Sequence, residues 1–261
     1  MIGGDGVAVT FTGPPERIVA MDSAAVEILF ALGQERRVAA THSFVDYPAE
    51  AASIPRVGNA FDMNLEQIVG LKPDLVFIFF DRFLPELRGL QVPVLYLESP
   101  AKFEQAAEQM RMWGRITGDP ASGEALAAGF EASLADIRAR ANGAGGPVKV
   151  YQDVAPGLWT LGEGSLADEI FNLLGAKNTF ADISGARQVS AEEIVERGPE
   201  VIISVHPGGA AAWRSDPAFA AVPAVRNGRV CEVDGAKLSV AGTRLVDGII
   251  EAAKCLYPDR F

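Results

Sequence analysis

No stretch of this chain approaches the ~20 consecutive apolar residues that a membrane-spanning helix requires. Histidine and cysteine number two each in 261 residues. No His-x-x-x-His or Cys-x-x-Cys metal pair is present. Basic residues are outnumbered, 23 Lys and Arg against 34 Asp and Glu, for a formal net charge of −11. A surface of that sign does not gather phosphates, so nucleic acid is not a partner. There is no Gly-x-Ser-x-Gly elbow, no phosphate loop and no Gly-x-Gly-x-x-Gly fingerprint, and the common hydrolase and nucleotide-binding classes fall with them. The start, Met1-Ile-Gly-Gly-Asp-Gly, has neither a basic n-region nor an apolar h-region. Taken alone it reads as cytoplasmic. Cys231 and Cys255 fall in a predicted strand and the predicted last helix, where two buried free thiols are the ordinary reading and one disulfide the alternative.

What is present is an ordinary globular composition, 49% hydrophobic and 22% charged, with ample material for a core. Its most informative feature is a repeat. Met63-Asn-Leu-Glu-Gln-Ile-Val-Gly-Leu-Lys-Pro-Asp-Leu-Val-Phe-Ile-Phe79 returns in the second half as Val189-Ser-Ala-Glu-Glu-Ile-Val-Glu-Arg-Gly-Pro-Glu-Val-Ile-Ile-Ser-Val205. Asn64 and Ser190 are N-cap types, and Gln67 and Glu193 three residues on complete capping boxes. Each helix stops near a Pro, and each apolar run is short and rich in Val, Ile or Phe, as in a buried parallel strand. Two copies so far apart are too few for a solenoid and predict two similar lobes.

Strands are predicted at 17–21, 38–41, 75–80 and 92–97, with Ser23 as N-cap of a helix running to Leu32 and another helix at 102–116. Leu126, Phe130, Leu134 and Ile137 then mark one long amphipathic helix at 120–141, roughly 33 Å at 1.5 Å per residue. The break Asn142-Gly-Ala-Gly-Gly-Pro147 ends it. Beyond it β/α order resumes, with strands at 148–154 and 229–233 and helices at 166–174 and 243–257. Alternating order of this kind gives mostly parallel sheets. The predicted organisation is an N-terminal α/β lobe (1–118), a bridging helix (119–143) and a C-terminal α/β lobe (144–261).

Pro15-Glu-Arg-Ile-Val, Asp46-Tyr-Pro with Arg56-Val-Gly, Met63-Asn-Leu-Glu with Leu71-Lys-Pro-Asp-Leu-Val, and Val225-Arg-Asn-Gly-Arg-Val with Val233-Asp follow one another in fixed order. In this the chain resembles the substrate-binding proteins of metal-chelate ABC importers, from about Pro15 to the C-terminus. Members for vitamin B12, ferric siderophores and haem share the frame, and the corrinoid binders are the nearest likeness. The resemblance implies two α/β lobes joined by one backbone helix, a chelate held in the cleft between them, and delivery to a membrane permease. It also implies a monomer that is periplasmic or membrane-anchored outside the cell, its signal peptide removed. It departs from the corrinoid binders at Ala60, where they carry tryptophan, with Phe61 adjacent. Asp46-Tyr47-Pro48 is kept, and Trp159 falls where an aromatic residue is expected.

Ligands of open parallel sheets bind outside the carboxyl ends of the strands. That rule collects Ser23, His42, Phe44, Phe61, Phe80 and Arg82 from the first lobe, and Trp159, His206 and Lys237 from the second. Phe44, Phe61, Phe80 and Trp159 suit the apolar walls a flat chelate needs. Phe80 equally suits a strand end capping the core. His42 and His206 follow strands at corresponding places, as polar site residues or as metal ligands, with no further ligand pattern to assign a metal site. Arg82 and Lys237 suit carboxylates of the chelate or a solvated rim. Asp62, Asp81 and Asp153 are acids of the same region with no legible partner. Glu66 and Glu192 hold equivalent N2 positions in the repeat. As first-turn acids they stabilise their helices by ~0.3–1 kcal/mol, and the resemblance implies that they dock to permease arginines.

The chain thus reads as a binding protein with no cofactor of its own, its ligand a cobalt or iron chelate. The alternatives are capture of a free metal ion or a small oxyanion such as molybdate, which needs a tight polar cage, or an enzyme of unknown reaction.

Overall fold

A computed structural model describes residues 1–90, 92–142 and 146–261. The glycine-rich break at 142–147 therefore lies in part outside the described residues. The chain divides into two compact units, Met1–Pro100 with Glu104–Gly129, and Ala101–Phe103 with Phe130–Phe261. The first contains β1 (Ile18–Met21), α1 (Ser23–Ala31), β2 (Val38–Thr41), α2 (Leu65–Gly70), β3 (Leu75–Ile78), α3 (Leu84–Gly89) and β4 (Val94–Tyr96). Next come α4 (Phe103–Thr117) and the 22-residue α5 (Pro120–Ala141), which contributes to both units. The second unit begins with β5 (Lys149–Asp153), β6 (Trp159–Leu161), α6 (Leu166–Leu173), β7 (Lys177–Asn178), β8 (Ala186–Gln188), α7 (Ala191–Arg197) and β9 (Val201–Ser204). It ends with α8 (Gly209–Ser215), α9 (Pro223–Arg226), β10 (Val230–Glu232), α10 (Gly235–Leu238) and α11 (Leu245–Leu256). Among the described residues no helix is long and apolar enough to cross a membrane.

Each unit has its own four-stranded sheet, β2-β1-β3-β4 and β10-β9-β5-β7, parallel throughout. The central strands β1, β3 and β9 are buried at every residue, as a sheet covered on both faces demands. The pair β6–β8 is antiparallel and too short to show in the sequence pattern. Phe77 meets Trp113 edge-on in the first core, while in the second Tyr151 meets Phe180 and Trp213 edge-on and Trp213 lies tilted against Phe219.

The repeat is α2–β3 and α7–β9. Met63 and Ile68 share one core cluster and Val189 and Ile194 the other, the two places of a hydrophobic staple. The second copy forms the full capping box. The first forms only its cap, Asn64 Oδ1 accepting from Gln67 N at 2.9 Å. The Asn64 N–H is already donated to Val57 O, so Gln67 has nothing to accept. Two further expectations are corrected. The N-cap of α1 is Asp22, whose carboxylate accepts from Ala24 N, so Ser23 is the first helical residue with its hydroxyl free for another use. The cysteines are not thiols: Cys231 and Cys255 form a disulfide tying β10 to α11.

Candidate functional site

In the first unit the carboxyl end of β1 meets that of β2, because the strands are parallel neighbours. Ser23 Oγ lies 3.0 Å from His42 Nε2, and Phe44 N donates to His42 Nδ1 at 3.2 Å. Since Nδ1 accepts, Nε2 carries the hydrogen and donates to Ser23. This is the wrong direction for a histidine activating a serine. Burial, and then the positive charge of Arg56, lower the His42 pKa to about 4. A neutral ring with both nitrogens engaged is a scaffold for Ser23 and Phe44 and has no lone pair left for a metal. Beside it Asp22, 8% exposed, has its pKa raised to about 6, chiefly by burial.

Two phenylalanine rings of this unit stand largely in solvent. Phe44 is 68% exposed and Phe61 75%. Phe61 sits on an ordered turn: Asn59 Oδ1 accepts from Phe61 N and Asp62 N, and Asn59 N donates to Asp62 O. Gly58, at φ 96°, permits the turn, because a Cβ there would lie 2.0 Å from Asp62 O. Leaving such rings in water forgoes roughly 1.5–3 kcal/mol each. Phe80 differs: it is half-buried against the core and edge-on to Phe79. Arg82 is exposed, its guanidinium 5.7 Å from the Phe83 ring centroid.

In the second unit Trp159 opens β6, 39% exposed. The preceding turn uses positive φ at both Gly157 (94°) and Leu158 (63°), a conformation a leucine adopts only under constraint. Backbone bonds from Val154 N to Trp159 O and from Val189 N to Leu158 O hold it. His206, just beyond β9, bonds through Nε2 to Asp153 Oδ2 at 2.8 Å. Lys237 is ion-paired, its ammonium donating to Glu251 Oε1 at 2.6 Å.

Within the first unit the structure thus joins Ser23, His42 and Phe44 in one constellation. It gives Asp153 the partners that the sequence leaves illegible, Ser204, His206 and Trp213. The signal was there in part. Asp153 ends one strand, and Ser204 and His206 stand two apart at the end of another, on one face. What pairs them is the β5–β9 register, Asp153 opposite Ser204. Glu66 and Glu192 are both exposed in the first turns of α2 and α7, and hydrogen bonds from its own backbone N–H and from Ser190 lower the Glu192 pKa.

Residues 18–236 match the periplasmic binding protein family. An ABC transporter substrate-binding lipoprotein of Bacillus subtilis is 28% identical over 97% of this chain and 83% of its own length. The crystal structure of the periplasmic vitamin B12-binding protein of Vibrio cholerae superposes with a TM-score of 0.84 at 27% identity, covering 93% of this chain and 97% of that one. A periplasmic haem-binding protein from Roseiflexus sp. RS-1, in its apo form, gives 0.84 at 26% identity, covering 93% and 98%.

Proposed function

Because the chain belongs to the periplasmic binding protein family, we propose that it is the extracytoplasmic substrate-binding component of an ABC importer for a metal chelate. A corrinoid such as cobalamin is the first choice, a ferric siderophore or haem the next. The observation that carries this reading is that each unit exposes aromatic rings, Phe44 beyond β2 and Phe61 on the Asn59 turn in the first, Trp159 at the start of β6 in the second. A large flat cargo recovers the burial these rings forgo, whereas a bare ion or molybdate gains nothing from them. Similarity to proteins named for vitamin B12 and haem binding supports the same ligand class. The disulfide suits an oxidising compartment. Exposed Glu66 and Glu192, one per unit, are the charges we assign to permease docking.

A thermal-shift panel of cobalamin, cobinamide, haem and ferric siderophores tests the reading. The cargo, at 100 times its Kd, should stabilise the fold by ~2.7 kcal/mol. A panel without any shift, beside a clear shift with molybdate, would reject it.

A further inference from the structure

Trp159 of β6 pairs directly with Gln188 of β8, and opposite residues of an antiparallel pair stand on one face with their Cβ atoms about 5 Å apart. Gly157 shows the same placement. A Cβ on it would lie 3.3 Å from Gln188 Nε2, 3.8 Å from Trp159 Cδ1 and 3.9 Å from Trp159 Nε1, so the bare glycine sits against both side chains. The Gln188 amide has a fixed sense, because Nε2 donates to Gly157 O at 2.9 Å. A carbonyl only accepts, so Oε1 is turned away from it and is left as an acceptor. Among the described residues nothing donates to Gln188 Oε1, and Trp159 Nε1–H has no acceptor. Both residues are exposed. Gly157 also walls a cavity of about 350 Å³ with Pro156, Leu158 and Pro207, so a ligand can reach the pair.

One donor and one acceptor side by side are the complement of a primary carboxamide, whose C=O takes the indole hydrogen and whose N–H gives to Oε1. A carboxylate matches only half of this set: it accepts from the indole and confronts Oε1 with a second acceptor. Arg187 does not offset that. It is ion-paired with Glu193, and adjacent residues of a strand point to opposite faces. We propose that Gln188 and Trp159 form a carboxamide subsite and that Gln188 decides which chelate is taken. Corrinoids, whose ring is fringed with primary carboxamides, satisfy it; haem, whose edge carries carboxylates, does not. A site built to hydrogen-bond one group rejects the analogue lacking it, because its own polar atoms are left unpaired. This inference rests on the chelate-binding reading above and narrows it to the corrinoid class.

The test is equilibrium dialysis of wild type, Gln188→Leu, Gln188→Arg and Trp159→Phe against cobalamin, its separated monocarboxylic acids (one primary amide hydrolysed to an acid), haem and a hydroxamate ferric siderophore. Both residues are exposed and Trp159→Phe keeps an aromatic face, so the variants should unfold at the wild-type temperature. Wild type should bind at least one monocarboxylic acid about ten-fold more weakly than cobalamin. Gln188→Leu and Trp159→Phe should each weaken cobalamin about 3–10-fold without weakening haem, and Gln188→Leu should erase most of the difference between cobalamin and its acids. Gln188→Arg, which supplies a cation for a carboxylate, should reverse the order. If Gln188→Leu and Trp159→Phe bind cobalamin as wild type does, or weaken haem equally, the inference is overturned and chelate capture stands. If wild type takes haem or the siderophore but no corrinoid, the inference again falls alone. If it takes no chelate of any kind, the proposed function falls with it.

Discussion

Lys72 and Gly198 occupy the same place in the two copies of the repeat, and both hold left-handed backbone, at φ 48° and 58°. An L side chain there costs ~1–2 kcal/mol, which glycine avoids at the expense of unfolded-state entropy. Lys72→Gly should therefore stabilise by about 0.5–1 kcal/mol, and Gly198→Ala should cost about 1 kcal/mol. Chemical denaturation at unchanged m-value measures both. A destabilised Lys72→Gly would mean that the lysine makes a compensating contact.

Asp22 predicts a pH signature. Its folded pKa, about 6, lies above the unaltered 3.8, so between these values the folded state binds more protons than the unfolded one. Stability from this group is present below pH ~4 and is lost as pH rises through 6. Asp22→Asn keeps a capping oxygen and removes the titration. Relative to wild type it should gain on the order of 2–3 kcal/mol by pH 7, and little at pH 3.5. A difference that does not vary with pH would contradict the assignment.

The disulfide closes a segment with a sequence separation of 24, for which loop closure gives roughly 3 kcal/mol. The Cys231→Ala, Cys255→Ala double variant should lose about that much in urea denaturation. A loss below ~1 kcal/mol would show that the packing of α11 alone holds that edge.

The fold was legible where the repeat and periodicity spoke. The long helix at Pro120–Ala141 and the strand at Val38–Thr41 follow from apolar spacing alone. What was not legible depended on competition between neighbouring groups. Asp22 displaces Ser23 as the cap, and Val57 O claims the hydrogen that Gln67 would have accepted. The site was legible as strand ends. Which side chains are already engaged, Lys237 by Glu251 and His42 by Ser23 and Phe44, is set by tertiary packing that no local pattern carries.

For Glu66 and Glu192 the account separates binding from delivery. Replacing both with Ala should cost at most ~1 kcal/mol of stability per site and leave chelate affinity intact. Capture by the permease should weaken by ~1.5–3 kcal/mol per lost charge-assisted contact, and wild-type capture should be salt-sensitive. Reconstituted uptake at the normal rate with both glutamates removed would show them to be helix-stabilising acids only.

The most direct test of chelate capture is equilibrium dialysis of the purified protein against cobalamin, haem and a ferric siderophore, each read by its own visible absorbance. The account predicts saturable binding of at least one of them, one chelate per chain, with Trp159→Ala weakening it by ~1–3 kcal/mol while leaving the fold intact. Folded protein that retains none of the three would contradict it.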